Sequence, residues 1–311
     1  MNFKDTIQHV TTPLPGSIPK TIHYKLSVKL KNEGLTILEL YSNSFPQVER
    51  QVWIDKIESG LLTVNGQKCS TDLVLKAGWL TENIALNKTE PNVNNALELI
   101  YEDELILVIN KPSPLPMHPS GRFNRNTLTN FLKLAFPQQE LKIVHRLDAN
   151  TTGVIILAKT AKIAAELGSQ FQNNTVNKEY LALVEGIIEK DILLIKEKIS
   201  KTKTASGGRS VSNDGLESET KITILERNIK NNTTLLKVEP KNGRTNQIRL
   251  HLASINHPIV GDLGYKDINY FKNNPLTYPD DSLFLHAHKI KILVNNTETQ
   301  FIAEIPQKYL K

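Results

Sequence analysis

A short polar stretch, residues 145–153, carries side chains of the types that perform acid–base or nucleophilic chemistry. It holds one carboxylate, Asp148, close in sequence to the bases His145 and Arg146, and an apolar run over 154–158 follows directly. A polar loop fixed to the start of a buried strand is a rigid support for reactive groups. Considered alone, the stretch also fits a structural turn with an Arg–Asp pair on its rim.

Two positions further along the chain combine a polar group with apolar surroundings. Tyr180 lies near the start of an alternating stretch, 178–186, that predicts a strand, and a half-buried strand aromatic is its ordinary structural role. Arg249 lies in residues 243–252, where a turn feeds a predicted helix. A capped helix with an apolar face accounts for most of that segment, but not for a cation between apolar neighbours.

These segments resemble ordered motifs of the RluA family of RNA pseudouridine synthases. The family's signature loop runs His-Arg-Leu-Asp, two free positions, Thr-Ser-Gly. Residues 145–153 match six of these positions, and Thr152 replaces the usual Ser. The Lys-Glu-Tyr sequence that ends at Tyr180 resembles the family's tyrosine motif. Residues 243–252 resemble its third motif, in which Asn246 stands where His is usual.

The resemblance implies that the chain isomerises uridine in RNA to pseudouridine. In that reaction the C1′–N1 glycosidic bond breaks, the uracil turns over, and C5 joins C1′. Asp148 would be the catalytic carboxylate, acting as a nucleophile or as a base. Arg249 would be the fixed cation that keeps this carboxylate ionised in a dry cleft. Tyr180 would offer a flat face for the uracil and a hydroxyl for proton handling at C5.

Four more residues are predicted to contact the substrate. The target base must leave its stack, so another group should fill the gap. Arg146 has a planar guanidinium that stacks like a base, and we assign it that role. Ile248 would pack on the uracil from the side opposite Tyr180. His145 and Arg244 complete the predicted substrate contacts.

No cofactor and no metal are expected. The isomerisation oxidises nothing and gains no atom, and the sequence has no phosphate-cradling glycine motif of the nucleotide-binding kinds. His286 and His288 share a predicted strand, but no third ligand lies near them, and Cys69 is the only cysteine. Two histidines alone do not complete a metal site.

The composition indicates the kind of partner and the compartment. The chain has 311 residues and a formal net charge of +6, and a basic balance fits a polyanionic partner. The N-terminus lacks the apolar core of a signal peptide, and no apolar run has the length of a membrane span. We therefore expect a cytoplasmic monomer that acts on ribosomal or transfer RNA without membrane contact.

The pattern of elements and the resemblance predict an α+β protein with two domains. Residues 97–311 would form the pseudouridine synthase catalytic domain, a mixed, mostly antiparallel sheet with a central cleft. Residues 1–87 would form a small α/β module that resembles, in degenerate form, the alpha-L RNA-binding fold. The polar, proline-containing segment 88–96 would link the two.

Local signals add four expectations. Residues 44–47 look like a capping box that starts a helix, and Asn65-Gly66 predicts a hairpin. The predicted helix has only Arg50 and Lys56 as basic residues, balanced by acidic ones, so it would hold phosphates weakly. Residues 196–215 are rich in Lys and Gly with little to bury, and are predicted to be a flexible basic excursion.

Two other classes of function compete with the enzyme. An RNA-binding assembly factor could keep the synthase fold with an inactive pocket, but the retained Asp148, Tyr180 and Arg249 favour an active enzyme. A nucleosidase or glycosidase would use a pair of carboxylates. The motifs instead offer Arg and Tyr beside one carboxylate, and a turnover assay separates an enzyme from an assembly factor.

Overall fold

The computed structural model describes residues 2–202, 204, 208–267 and 282–309. Its helices are α1 (Phe3–Thr11), α2 (Ile37–Ser44), α3 (Arg50–Glu58), α4 (Leu128–Ala135), α5 (Ala161–Gln172), α6 (Gln247–Ser254) and α7 (Leu263–Lys266). Its strands are β1 (Lys20–Ser27), β2 (Leu62–Val64), β3 (Gln67–Lys68), β4 (Leu80–Lys88), β5 (Glu98–Glu102), β6 (Ile106–Lys111), β7 (Lys142–Ile143), β8 (Thr152–Ala158), β9 (Asn177–Glu185), β10 (Ile192–Ile195), β11 (Thr220–Asn228), β12 (Thr233–Pro240), β13 (Leu285–Val294) and β14 (Thr297–Ile302). Within the described ranges, no helix is both long and apolar enough to cross a membrane.

The chain divides into two compact units. The smaller is Ser17–Thr89, and the larger combines Met1–Gly16 with Glu90–Lys311. The predicted division into 1–87 and 97–311 differs from this at the N-terminus, because the first residues of the chain belong to the larger unit.

The smaller unit is an antiparallel sheet with the strand order β1-β4-β2-β3, and its two helices are α2 and α3. Tyr41 of α2 and Trp53 of α3 pack ring against ring in the core, with centroids 4.9 Å apart. The predicted hairpin is confirmed: β2 pairs with β3, and Asn65 and Gly66 between them both have positive φ. That conformation is the one a two-residue turn of this kind requires.

The predicted capping box at residues 44–47 is wrong. Ser44 is the last residue of α2, and α3 begins only at Arg50. The capping box lies at the start of α2, where the Thr36 hydroxyl accepts the N–H of Glu39 and the Glu39 carboxylate accepts the N–H of Thr36. A polar–proline pattern marks a break between helices as readily as a beginning.

The larger unit is built on one sheet with the order β10-β11-β12-β9-β13-β8-β6-β5, to which β14 and β7 add at β13 and β8. Its neighbours pair antiparallel except β13 and β8, which run parallel. The predicted mixed, mostly antiparallel α+β fold is therefore confirmed.

The strand after the signature loop lies at the centre of this sheet. Every residue of β8 is buried, as expected for a strand covered on both faces. Gly153, the second residue of β8, has a φ of 116°, and a side chain there would collide with the carbonyl oxygen of Ala287 on β13. Glycine lets β13 approach the strand that leads out of the signature loop.

The N-terminal segment is part of the core of the larger unit. Ile7 of α1 is buried in a cluster with Leu97 and Phe131. The Glu90 carboxylate, within the predicted linker, is buried and accepts the N–H groups of three successive residues, Asn124, Arg125 and Asn126. The polar composition of 88–96 indicated solvated chain, but some of these side chains are fixed by hydrogen bonds.

The predicted flexible excursion is structured over its described residues. Ile199 is buried and forms bridges with Val211 and Leu216, so the segment folds back on itself as a hairpin. Lys196 and Lys198 lie within 3.4 Å and 2.9 Å of the carboxylates of Glu219 and Glu217, respectively. A buried isoleucine holds the base of this segment, and residues 203 and 205–207 lie outside the described part of the chain.

This arrangement predicts that the larger unit folds without the smaller one. The carbonyl of Gly16 accepts the N–H of Glu90 at 2.8 Å, so a two-glycine bridge can replace residues 17–89. We expect that variant to unfold in one cooperative thermal transition. A variant without residues 1–89 should be less stable, because it also loses α1 with the buried Ile7, and removing one such side chain costs about 2–5 kcal/mol.

Circular dichroism melts of both deletions would check this. Ile7→Ala should reproduce much of the difference in the full chain, whereas Leu30→Ala, at a residue that is 77% exposed, should not. Equal stability of the two deletions would show that α1 does not belong to this core.

Candidate active site

The loop that carries Asp148 is held from below by a buried lysine. Lys111, at the end of β6, is fully buried and donates to the carbonyls of Ala149, Leu115 and Pro112 at 3.1, 2.9 and 2.9 Å. Leu115 also donates its N–H to the carbonyl of Ala149 at 2.9 Å. Burial lowers the pKa of Lys111 to about 7, and the negative charge of Asp148 opposes this shift. The carbonyl of Ala149, next to Asp148, is thus fixed by two hydrogen bonds, one from Lys111 and one from Leu115.

Arg249 forms hydrogen bonds with Asp148 and with a second, buried carboxylate, that of Asp262. On α6, Arg249 donates through Nη1 to Asp148 Oδ2 at 3.1 Å, and through Nε and Nη2 to the two oxygens of Asp262 at 2.7 and 2.8 Å. Burial alone would lower the pKa of Arg249, but Asp262 and then Asp148 more than offset it and raise the pKa. Arg249 therefore remains charged at any working pH.

The start of α6 is fixed by polar contacts on both sides. Asn246 precedes it in the left-handed conformation, which asparagine tolerates well, and donates through Nδ2 to the Tyr265 hydroxyl at 3.0 Å. His251, completely buried, forms hydrogen bonds with the hydroxyls of Thr220 at 2.8 Å and Ser218 at 3.0 Å. These contacts determine the direction in which Arg249 leaves the helix.

Tyr180 on β9 lines the same cleft as Asp148 and packs against two apolar clusters of the larger unit. Burial, and then the charge of Asp148, raise the pKa of Tyr180 well above its ordinary value, so its hydroxyl keeps its proton at neutral pH. Lys178, also on β9, donates to the carbonyl of Asn242 at 3.0 Å, and burial lowers the pKa of Lys178 to about 8.

The structure brings most of the predicted site residues together. One cleft is lined by Arg146, Asp148, Tyr180, Arg244, Ile248 and Arg249, and Lys178 joins them. Four cations and one carboxylate face this space, so it attracts anions. Arg146 is exposed and donates to the Thr245 hydroxyl at 3.2 Å.

His145 is not among these lining residues. Its Nε2 accepts the N–H of Ile156 at 3.0 Å, and its ring stacks on Phe171 with centroids 4.5 Å apart. Burial, and then Lys178, lower the pKa of His145 to about 3. Because β7 ends at Ile143, the imidazole supplies the acceptor that a longer strand would have offered to β8. The prediction that His145 contacts the substrate is not supported by this geometry.

Sequence reasoning missed Asp262, Lys178 and Tyr265 as parts of the site. Asp262 follows a short apolar run and Gly261, a pattern that marks a strand end or turn and does not identify an ion pair. The one available signal was the unexplained cation Arg249, which required carboxylate partners that local spacing could not supply.

The two histidines of β13 are engaged separately. His286 pairs through Nδ1 with the Thr152 hydroxyl at 2.8 Å, and His288 pairs through Nδ1 with the Ala303 carbonyl at 3.0 Å. Among residues 2–202, 204, 208–267 and 282–309, no group of three or more His, Cys, Asp or Glu side chains could hold a metal ion.

Comparison with known proteins gives the family. A family model described as RNA pseudouridylate synthase matches residues 105–254. Ribosomal large subunit pseudouridine synthase C of Buchnera aphidicola is 31% identical over 301 residues, covering 92% of this chain and 94% of that protein. The mitochondrial tRNA pseudouridine(32) synthase of Saccharomyces cerevisiae is 30% identical over 274 residues, covering 84% of this chain and 57% of the yeast protein.

A solved structure agrees with these relatives. Human RNA Pseudouridylate Synthase Domain Containing 1 aligns with a TM-score of 0.57 and 25% identity, covering 70% of this chain and 87% of that chain. The chain therefore belongs to the RluA family of RNA pseudouridine synthases, which are isomerases. The family and the fold predicted from the motifs are confirmed.

The position of His145 predicts a role in stability. His145→Phe keeps a ring on Phe171 but leaves the buried N–H of Ile156 without its acceptor, which costs about 1–3 kcal/mol. The folded protein holds this imidazole neutral down to about pH 3, whereas its ordinary pKa is 6.5. The stability that wild type gains from His145 is therefore complete above pH 6.5 and is lost as the pH falls toward 3.

Urea unfolding of wild type and His145→Phe at pH 7, 5.5 and 4.5 would check this. We expect the difference in unfolding free energy to shrink as the pH falls, and the catalytic rate of the folded variant at pH 7 to match wild type. A folded variant with a much lower rate would return His145 to the catalytic site.

Proposed function

We propose that this protein converts specific uridines of ribosomal or transfer RNA to pseudouridine, with Asp148 as the catalytic carboxylate. The observation that carries this proposal is the position of Asp148, which shares a cleft with Tyr180 and is bound by the permanently charged Arg249. The relatives named above act on different RNAs, so the proposal extends to both classes. We propose further that the protein is a cytoplasmic monomer. It needs no cofactor, because the reaction is redox-neutral.

The chemistry requires an ionised carboxylate beside the sugar and the base. Asp148, with a side chain that is 35% exposed, can reach a substrate in the cleft while Arg249 stabilises its charge. It acts as a nucleophile or as a base when the C1′–N1 bond breaks. After the uracil turns over, C5 bonds to C1′ and releases its proton, while N1 gains one. The neutral hydroxyl of Tyr180 is placed to help this transfer.

The base reaches this cleft only if it leaves the RNA stack. Arg146 is exposed at the cleft, and its guanidinium can occupy the vacated position. Arg244 is also exposed there and offers a positive charge to the phosphates near the flipped nucleotide. Ile248 gives the base an apolar contact.

The first prediction from this proposal is that Asp148→Asn abolishes conversion while RNA affinity stays within a few-fold of wild type. The substitution removes the charge that the reaction needs. The variant should fold, because Arg249 keeps both hydrogen bonds to Asp262. RNA affinity should stay close to that of wild type, because phosphate contacts provide most of the affinity and the Asp148 carboxylate makes none of them.

Tritium release from RNA labelled at C5 of uridine measures conversion, and filter binding measures affinity. An Asp148→Asn variant that still releases tritium would disprove the role of Asp148. If wild type binds cellular RNA but releases no tritium from it, the enzyme proposal fails. The assembly-factor alternative would then stand.

The second prediction separates base flipping from catalysis. Arg146→Ala should slow a folded stem-loop substrate by about tenfold or more relative to an RNA whose target uridine is already unstacked, because extrusion costs a few kcal/mol. Arg244→Ala is the matched control. It should weaken the binding of both RNAs to the same extent, since it loses a phosphate contact. Equal losses for Arg146→Ala on both RNAs would place Arg146 in the chemical step.

A further inference from the structure

We propose that Asp262 is a positioning residue of this active site, which sets the orientation of Arg249 and thereby the direction of the Asp148 carboxylate. The inference rests on the proposed function. Asp262 does not line the cleft, is 1% exposed, and acts on the reaction only through the guanidinium.

The hydrogen bonds of Arg249 are divided unequally between two carboxylates. Asp262 receives Nε and Nη2, one on each oxygen, at 2.7 and 2.8 Å. Two parallel bonds of this kind fix both the plane and the rotation of a guanidinium, which a single bond cannot do. The remaining nitrogen, Nη1, then points to Asp148 Oδ2 at 3.1 Å. The geometry of the catalytic contact is thus set from the buried side.

A second contact supports the same orientation. The Asp262 carboxylate also accepts the N–H of Tyr265, and the Tyr265 ring lies 5.0 Å from the guanidinium carbon of Arg249. The Tyr265 hydroxyl is in turn held at 3.0 Å by Asn246 Nδ2 and at 3.0 Å by the N–H of Arg209. Arg249 is therefore held edge-on by Asp262 and face-on by a ring that α7 itself presents.

The charges support a role beyond neutralising Arg249. Two carboxylates share one guanidinium, so the group carries one surplus negative charge. Asp262 is buried and doubly bonded, whereas Asp148 is more exposed and bonded to Arg249 through one oxygen. The surplus charge is then best placed on Asp148, where the substrate arrives. Asp262 lets Arg249 stabilise Asp148 without fully neutralising it.

The main alternative is that Asp262 serves stability alone, as the cap of the short helix α7 and as a partner for a buried cation. The two roles differ in what they predict for a folded variant. A purely structural residue lowers the melting temperature and leaves the rate of the folded enzyme unchanged. A positioning residue lowers the catalytic rate at saturating RNA while the dissociation constant for RNA stays the same.

The test is Asp262→Asn, which keeps the size and the capping ability of the residue but removes its charge and one acceptor of Arg249. At a temperature where the variant is folded, we expect the single-turnover rate at saturating RNA to fall about 100-fold, the scale of loss for a catalytic group displaced by about 1 Å. The dissociation constant for RNA should change by less than about threefold, because no phosphate contact is lost.

Asp191→Asn is the control for loss of an Arg–Asp bond. Asp191 accepts from Arg227 at 2.6 Å, is 82% exposed and does not line the cleft, so this variant should keep the wild-type rate. If Asp262→Asn does not fold, Asp262→Glu keeps the charge but moves the carboxylate by one methylene. Asp262→Glu should fold, and its single-turnover rate at saturating RNA should be at least tenfold below that of wild type. A wild-type rate in either folded Asp262 variant overturns the proposal.

A readout that needs no activity separates this proposal from the proposed function. In wild type, the Nε–H of Arg249 should give a nuclear magnetic resonance signal protected from exchange, assigned by its loss in Arg249→Lys. The signal should be lost or exchange faster in Asp262→Asn. An inactive wild type with this protected signal would refute the proposed function while supporting the fixed orientation of Arg249. An unchanged signal in Asp262→Asn would refute the orientation itself.

Discussion

The buried guanidinium of Arg249 is the interaction on which the rest of the site depends. A cation taken out of water is tolerated only with close, well-directed partners, and here these come from separate parts of the chain. Asp148 approaches on the signature loop, Asp262 at the start of α7, and Arg249 on α6. Each partner is remote in sequence from at least one other, so the site exists only when the larger unit has folded.

The sheet supplies the rigidity that this ion network requires. β8 is buried along its whole length and meets β13 where Gly153 allows close approach, which fixes the end of the signature loop. Lys111 fixes the middle of the same loop through the carbonyl of Ala149. Because Lys111 donates to backbone carbonyls, it can remain buried there without an ion pair to Asp148.

The sequence predicted those parts of the structure that depend on local pattern or on the family motifs. The alternating and apolar runs gave β8 and β9, and the motifs placed Asp148, Tyr180 and Arg249 together. What it could not supply were pairings set by three-dimensional proximity. Asp262 has no local feature that distinguishes it from a turn aspartate, and the polar Glu90 gave no sign of being buried.

His145 illustrates a different limit of sequence reasoning. An imidazole beside an arginine and the proposed catalytic aspartate suggests chemistry, and the resemblance to the family motif favoured that interpretation. The decisive fact is that β7 ends at Ile143, so the N–H of Ile156 needs another acceptor. The ends of strands are harder to predict from sequence than the strands themselves. A side chain that replaces a missing backbone acceptor cannot be recognised before those ends are known.

The cations of the protein fall into exposed ones that can contact RNA phosphates and buried ones that contact groups of the protein itself. In the smaller unit, Lys56 of α3 donates to Asn83 and Ile84, and burial lowers the pKa of Lys56. Its helix therefore has little charge to offer a phosphate, as its composition predicted. In the cleft, Arg249 is committed to carboxylates, whereas Arg146 and Arg244 are exposed. Phosphate contacts govern how binding depends on salt, so that dependence should reside in the exposed arginines. Arg249 instead holds the carboxylate of Asp148 from a position that salt and solvent hardly reach.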